Sequence, residues 1–193
     1  RAIVREARAG LVNCGEPEEP ASPAPAKKRA VAGKGGKANI VLARLDYRLL
    51  HGQVVFSWVN SVAAQRIIVV DNEAANDKKG ALKLAKPAGV YLNVYTVEKA
   101  LSKMDKCNTL GENVMFVFGN VHEMLEFLTA YKLPEVNLGA AANHDGAEPV
   151  GGKDSSVFFD AAEKADAQKI LDLGVRVYEQ QTPTQPRTDI TAF

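Results

Sequence analysis

The feature that most constrains this chain is an alternation that begins at Asn39 and continues towards the C-terminus: short apolar runs rich in Val, Ile and Phe, separated by longer amphipathic stretches. The runs fall at 40–43, 66–70, 90–95, 114–118, 136–138 and 175–178. Helical periodicity fills the intervals near 52–63, 73–86, 97–104, 120–131 and 160–173. Runs this short and this continuous predict strands covered on both faces, because a strand with one wet face alternates apolar and polar residues. The expected fold is therefore α/β: an open, mostly parallel central sheet with helices on both faces. The turn-forming segment His144-Asp145-Gly146 interrupts the pattern and predicts a short antiparallel excursion near 140–157. In open α/β sheets ligands gather at the carboxyl ends of the strands, which directs the search for chemistry to those loops.

Ahead of Asn39 the composition changes. Residues 1–13 place Ile3, Val4, Ala7 and Leu11 at helical spacing, yet so short a helix is marginal in water, so the segment reads as the tail of a preceding domain. Residues 14–38 are rich in Ala, Pro and Gly, a composition that favours extended and loose chain, and read as a linker to a domain over 39–193. The basic run in that linker (Lys27, Lys28, Arg29, Lys34, Lys37) reads as a solvated tether in preference to a contact with nucleic acid or lipid headgroups. With 24 basic and 23 acidic residues, the chain lacks the positive excess that nucleic-acid binding requires. Cys14 and Cys107 stand far apart and match no zinc or redox spacing, so no metal or cofactor is expected. No apolar run approaches the ~18 residues that span a bilayer, and 7–12 is too interrupted for the apolar region of a signal peptide. A soluble, cytoplasmic protein is the expectation.

The chemistry concentrates where the first strand ends, in RLDYRLLHGQVVFSW (44–58). Arg44, Asp46, Arg48 and His51 cluster past a strand's carboxyl end, and apolar periodicity resumes with Val54, Val55, Trp58, Val59 and Val62. His51 is thereby placed at or just before a helix N-terminus, where free N–H groups and the helix dipole favour a phosphate. Imidazole is a good nucleophile near neutral pH. Phosphoryl transfer needs mainly alignment and neutralisation of spread negative charge, which the planar forks of Arg44 and Arg48 suit. Asp46 would orient an arginine or the imidazole, Gly52 would permit close approach, and Gln53 would add a donor. Gly119 and Asn120, at the end of the fourth strand, either line a phosphate loop or only shape it. Composition and spacing leave a phosphoryl acceptor and a merely packed histidine both open.

The segment RLDYRLLHGQVV resembles the phosphorylation-site loop of the IIB components of mannose-family sugar phosphotransferase systems, whose motif reads approximately R-[IV]-D-x-R-[LI]-[IL]-H-G-Q. RIIVVDNEAAND (66–77), KPAGV (86–90), GENVMFVF (111–118) and EVNLG (135–139) are similar to further stretches of that family, in the same order. The resemblance covers about 39–190. It implies that His51 accepts a phosphoryl group from the phosphohistidine of a IIA component. His51 would then pass it to a sugar held by the membrane-embedded IIC and IID subunits, at the inner face of the membrane. It also implies that 1–13 is the last helix of a IIA domain and 14–38 the hinge of a fused chain. Tyr47 departs from the family, which often has an acidic residue there, and Gly139-Ala140 replaces a frequent Gly-Gly. The sugar is not readable from the sequence, and a homodimer is left open.

Rival readings are a non-catalytic regulatory or binding module that keeps this fold, and a nucleotide-binding α/β protein. No G-x-G-x-x-G or P-loop follows any strand, which counts against the second. Asp71, where receiver-like proteins place a phosphoacceptor, reads as a helix cap with Asn72. His122 reads as a solvated first-turn residue, His144 as part of a turn, and Trp58 as core.

Overall fold

The computed structural model describes residues 38–193; the expected tail over 1–13 and all but the last residue of the expected linker lie outside the described residues. The chain order is β1 (Asn39–Asp46), α1 (Gly52–Ser61), β2 (Arg66–Val70), α2 (Asn72–Asp77), α3 (Lys79–Ala85), β3 (Tyr91–Tyr95), α4 (Val97–Ser102) and α5 (Met104–Asn108). It continues with β4 (Asn113–Phe118), α6 (Val121–Ala130), β5 (Glu135–Ala140), β6 (Glu148–Pro149), β7 (Phe158–Phe159), α7 (Ala161–Asp172), β8 (Arg176–Glu179) and β9 (Thr188–Ile190). Seven strands form one sheet in the order β3-β2-β4-β1-β5-β8-β9. Every neighbouring pair is parallel except β8 and β9. The excursion expected near 140–157 is present as the antiparallel pair β6 and β7, entered through a turn in which Ala147 N–H donates to the His144 carbonyl at 3.0 Å.

Strand β4 shows why the sheet is covered on both sides. All six of its residues are buried. Val114, Phe116 and Phe118 belong to one apolar cluster, with Met124, Phe127 and Met104 from α5 and α6. Met115 and Val117 belong to the other, with Val55, Trp58, Val59 and Leu82 from α1 and α3. Successive side chains of a strand point to opposite faces, so one continuous apolar run serves two cores. The rings of Phe116, Phe118 and Phe127 lie 5.3–6.0 Å apart in tilted, stacked and edge arrangements, which add to the burial.

Three details were not readable in advance. Strand β1 extends past 43 to Asp46, because Arg44 and Asp46 are themselves buried and paired, and an apolar pattern cannot register a buried polar pair. The helical stretch over 73–86 breaks at Lys78, whose φ of −113° and ψ of 4° cap α2 before α3 begins. The edge strand β9 carries only the exposed or half-exposed Thr188, Asp189 and Ile190, so no periodicity announces it.

Cys107 lies in the first core, 4% exposed, and burial pushes its thiol pKa up. Since the thiolate is the reactive form, alkylation of Cys107 by iodoacetamide at pH 8 is expected to be at least roughly tenfold slower in the native chain than in urea, as it awaits local opening. Peptide mass analysis of the alkylated Cys107 checks this, and equal rates would show the helix α5 to be loosely held. Among the described residues, no helix is long and apolar enough to cross a membrane.

Candidate functional site

The sheet topology makes a crevice beside β1. From β1 the chain moves to one side through β2 and β3, returns to β4, and then crosses to β5 on the other side. Crevices at such reversals, outside the carboxyl ends of the strands, are the usual ligand sites of open α/β sheets. The loop 47–51 leaves β1 at this point. Tyr47 N–H donates to the Ala140 carbonyl at 3.1 Å, and Leu49 N–H to the Asp46 carbonyl at 2.9 Å, which closes a tight turn. Leu49 sits at φ +57° and Gly52 at φ +33°. A left-handed leucine is an uncommon and strained conformation, held here by burial of its side chain, 5% exposed, in the core under α1.

Asp46 is the centre of the site. It is 1% exposed, and its two oxygens face three cationic or ionisable groups. Oδ2 accepts from Arg44 Nη2 at 3.0 Å and lies 3.2 Å from His51 Nε2. Oδ1 accepts from the backbone N–H of Arg48 at 3.1 Å and from its Nε at 3.4 Å. A carboxylate only accepts, so in the neutral ring this contact puts the proton on Nε2 and leaves the lone pair on Nδ1. His51 is the N-cap residue of α1, with extended backbone and no side-chain capping bond, and its side chain is 23% exposed.

The two arginines differ sharply. Arg48 is 36% exposed and stacks its guanidinium on the ring of Tyr47, 5.5 Å from the centroid. Among the described residues its Nη groups carry no hydrogen bond. Arg44 is 2% exposed: Nη1 donates to Asn137 Oδ1 at 2.7 Å and to the Gln180 carbonyl at 3.1 Å, Nη2 goes to Asp46, and the guanidinium covers the Trp58 ring at 5.5 Å. Burial lowers its pKa, opposed by the neighbouring Asp46. Its Nη1 and Nη2 contacts thus turn inward onto protein acceptors, so any charge Arg44 lends to a phosphate would act from behind Asp46. Gly139 makes room for this: a Cβ there would fall on the Arg44 guanidinium. Asn137, fully buried beside Arg44 on β5, was not singled out in the sequence; polar residues inside an apolar run (EVNLG) are the only signal it left.

Gly52 and Gln53 form the first turn of α1 beside His51; the side chain of Gln53 lies outside the described residues. Gly119 and Asn120 are drawn elsewhere. Asn120 Oδ1 caps α6 by accepting from Glu123 N–H at 2.8 Å, and a Cβ at Gly119 would fall on the Asp71 carboxylate. They line a small cleft of about 160 Å³ with Tyr47, Ala142, His144 and Glu163, and His51 is not among its walls. Both residues thus serve loop structure in this fold. Asp71 caps α2 through Ala74 N–H at 2.7 Å, and Trp58 is 4% exposed in the core. His122 is in the first turn of α6, largely exposed and 3.0 Å from Asp166. Among the described residues, only His144, Asp160 and Glu163 approach the spacing of a metal site. Their oxygens already serve the capping box of α7 and an ion pair with His144.

Comparison with known proteins agrees with this fold. Residues 40–193 match the family model described as the PTS system sorbose subfamily IIB component. The chain is 32% identical over 156 residues to the sorbose-specific EIIB component of Lacticaseibacillus casei, covering 79% of this chain and 93% of that protein. It is 31% identical over 183 residues to the mannose-specific EIIAB component of Escherichia coli (strain K12), covering 89% of this chain and 56% of that protein. The crystal structure of the IIBSor domain of the sorbose permease from Klebsiella pneumoniae superposes with a TM-score of 0.73 at 29% identity, over 79% of this chain and 94% of that one. Family model, relatives and fold coincide, and the chain belongs to the sorbose-subfamily IIB components of the sugar phosphotransferase system, the mannose/sorbose family.

Proposed function

We propose that this chain is a phosphoryl carrier in which His51 accepts a phosphoryl group from the phosphohistidine of a IIA partner and donates it to a sugar presented by IIC and IID membrane subunits. The observation that carries the reading is a half-buried imidazole at a helix N-cap, its Nε2 held by the buried Asp46 carboxylate and its Nδ1 free to attack. Nδ1 forms the new N–P bond while the bond to the donor imidazole breaks, and the leaving imidazole keeps the electron pair. As the His51 ring gains positive charge, Asp46 stabilises it without taking the proton, the role a buried carboxylate plays behind a catalytic imidazole. The first N–H groups of α1 lack intrahelical partners, and with the Nη groups of Arg48 they supply donors for the transferred oxygens. Arg44 acts one step back, by holding Asp46. A relative whose name joins IIA and IIB in one chain supports the choice of donor. Work at the inner face of the membrane follows from the acceptor, which that subunit pair would hold there.

The test is transfer of labelled phosphate from phosphoenolpyruvate, through the general cascade proteins and a cognate IIA, onto this chain, with the label checked in acid and alkali. Acid-labile, alkali-stable label is expected. No label from an active donor onto folded chain would leave the non-catalytic module as the function. Within the same assay, Arg48→Ala is expected to slow transfer by about 10²–10³-fold, the usual effect of removing one donor to a developing charge. Stability should change little, because Asp46 keeps Arg44 and the residue-48 backbone N–H as partners and the partly exposed Arg48 side chain contributes about 1 kcal/mol at most. A rate within twofold of the unaltered chain would take Arg48 out of the site.

A further inference from the structure

The segment between β8 and β9, residues 180–187, crosses the site from behind, and its first two carbonyls reach both flanks of the His51 loop. The Gln180 carbonyl accepts from Arg44 Nη1 at 3.1 Å and from Asn137 Nδ2 at 3.1 Å. The Gln181 carbonyl accepts from Trp58 Nε1 at 3.1 Å. Arg44 lies on the strand that enters the loop, and Trp58 on the helix that leaves it. Asn137 completes the strand side, its Oδ1 accepting from Arg44 at 2.7 Å while its Nδ2 donates to the segment. A continuous hydrogen-bonded path, buried at Asn137, Arg44 and Asp46, thus runs from the Gln180 carbonyl to Asp46, and from Asp46 to His51 Nε2 and Arg48.

Stability alone is a poor reason for this arrangement. Asn137 and Arg44 are 0% and 2% exposed, and replacing a buried ionic or polar set by well-packed apolar residues is often neutral or stabilising. What such a set does supply is direction, since each fork of Arg44 and each atom of the Asn137 amide has one partner in one place. The segment is also folded on itself. Gln180 Nε2 donates to the Gln185 carbonyl at 2.7 Å, and Gln185 Oε1 accepts from Thr182 N–H at 3.1 Å. Its far end is tied down where β9 pairs with β8 and the Arg187 guanidinium covers the Tyr178 ring at 3.6 Å.

We propose that residues 180–187, with Asn137 and Trp58, form a positioning strap that sets the tautomer and aim of His51 through Arg44 and Asp46. The functional part rests on the reading of His51 as phosphoryl acceptor; the tautomer part does not. The test compares the unaltered chain with Trp58→Phe, which keeps an aromatic ring and deletes the N–H, and with Gln185→Ala, an exposed change that loosens only the strap. Three readouts are taken: the 15N spectrum of the His51 imidazole, the kcat and KM for labelled phospho-IIA, and Tm. The unaltered chain should show the Nε2–H tautomer, and each variant a mixture. Transfer should fall about tenfold or more in kcat, as small misplacements of reacting groups do, with KM within twofold and Tm within a few degrees. A lowered Tm with tautomer and kcat unchanged would make the strap a structural brace and overturn the proposal. Should the tautomer shift as expected in a chain that accepts no phosphate at all, the relay stands and the carrier reading falls.

Discussion

His51→Gln is expected to abolish labelled-phosphate uptake altogether while leaving the fold in place. Glutamine keeps an amide N–H within reach of Asp46, so the buried carboxylate is not left with an empty position, but it offers no nucleophilic nitrogen. The side chain is partly exposed and makes one side-chain bond, at 3.2 Å. Its loss therefore costs about 1 kcal/mol at most, a Tm shift of roughly 2–4 °C in a chain of this size. The measurement is acid-labile label per mole of chain, beside a thermal melt and a far-UV spectrum. Label at the unaltered level on the His51→Gln variant would move the phosphoryl acceptor to another residue, with His122 and His144 then the remaining histidines.

Asp46→Asn is the second large effect, and it is one of stability as well as chemistry. Arg44 would keep its hydrogen-bonding neighbours but lose its counter-charge while remaining buried. Removing one partner of a buried pair destabilises by about 3–5 kcal/mol, or roughly 6–20 °C in Tm for a domain of this size. Transfer should fall as well, because an asparagine no longer holds the Nε2–H tautomer by charge and no longer stabilises the cationic ring. The double change Arg44→Met with Asp46→Leu separates the two consequences. It removes the buried charges together, so Tm should recover most of the loss, while transfer stays low. A melt of Asp46→Asn indistinguishable from the unaltered chain would show that Asp46 is not the charge centre of the site.

These two changes also mark how far the residues could be understood one at a time. His51 was legible because a nucleophile, a glycine and two arginines next to a strand end is a local pattern, and the structure places it at the N-cap of α1. Arg44 and Arg48 were read as equivalent, since both are arginines a short distance from His51. Only burial separates them: one is sealed behind Asp46 by Asn137 and the Gln180 carbonyl, the other open on the surface beside Tyr47. Position alone let Gly119 and Asn120 either line a phosphate loop or only shape it, and the structure engages them in a helix cap and a close approach to Asp71. The strap 180–187 left no trace, because it acts through backbone carbonyls, which every sequence has.

What the sequence by itself determined is the periodicity: six apolar runs and the helices between them, hence a mostly parallel sheet covered on both faces, and a strand-to-helix turn with a histidine at its end. Periodicity records which residues are removed from water, and burial of apolar surface is local enough in pattern to be read along the chain. What only the tertiary structure decided is which polar groups share a partner. The edge strand β9 is set by its pairing with β8, and the inward turn of Arg44 onto Gln180, the meeting of Asn137 with Gln180 and the anchoring of Trp58 on Gln181 join residues 43 to 136 positions apart. A hydrogen bond depends on direction and distance in space rather than on residue type alone, so no single stretch of chain carries the information that sets where His51 points.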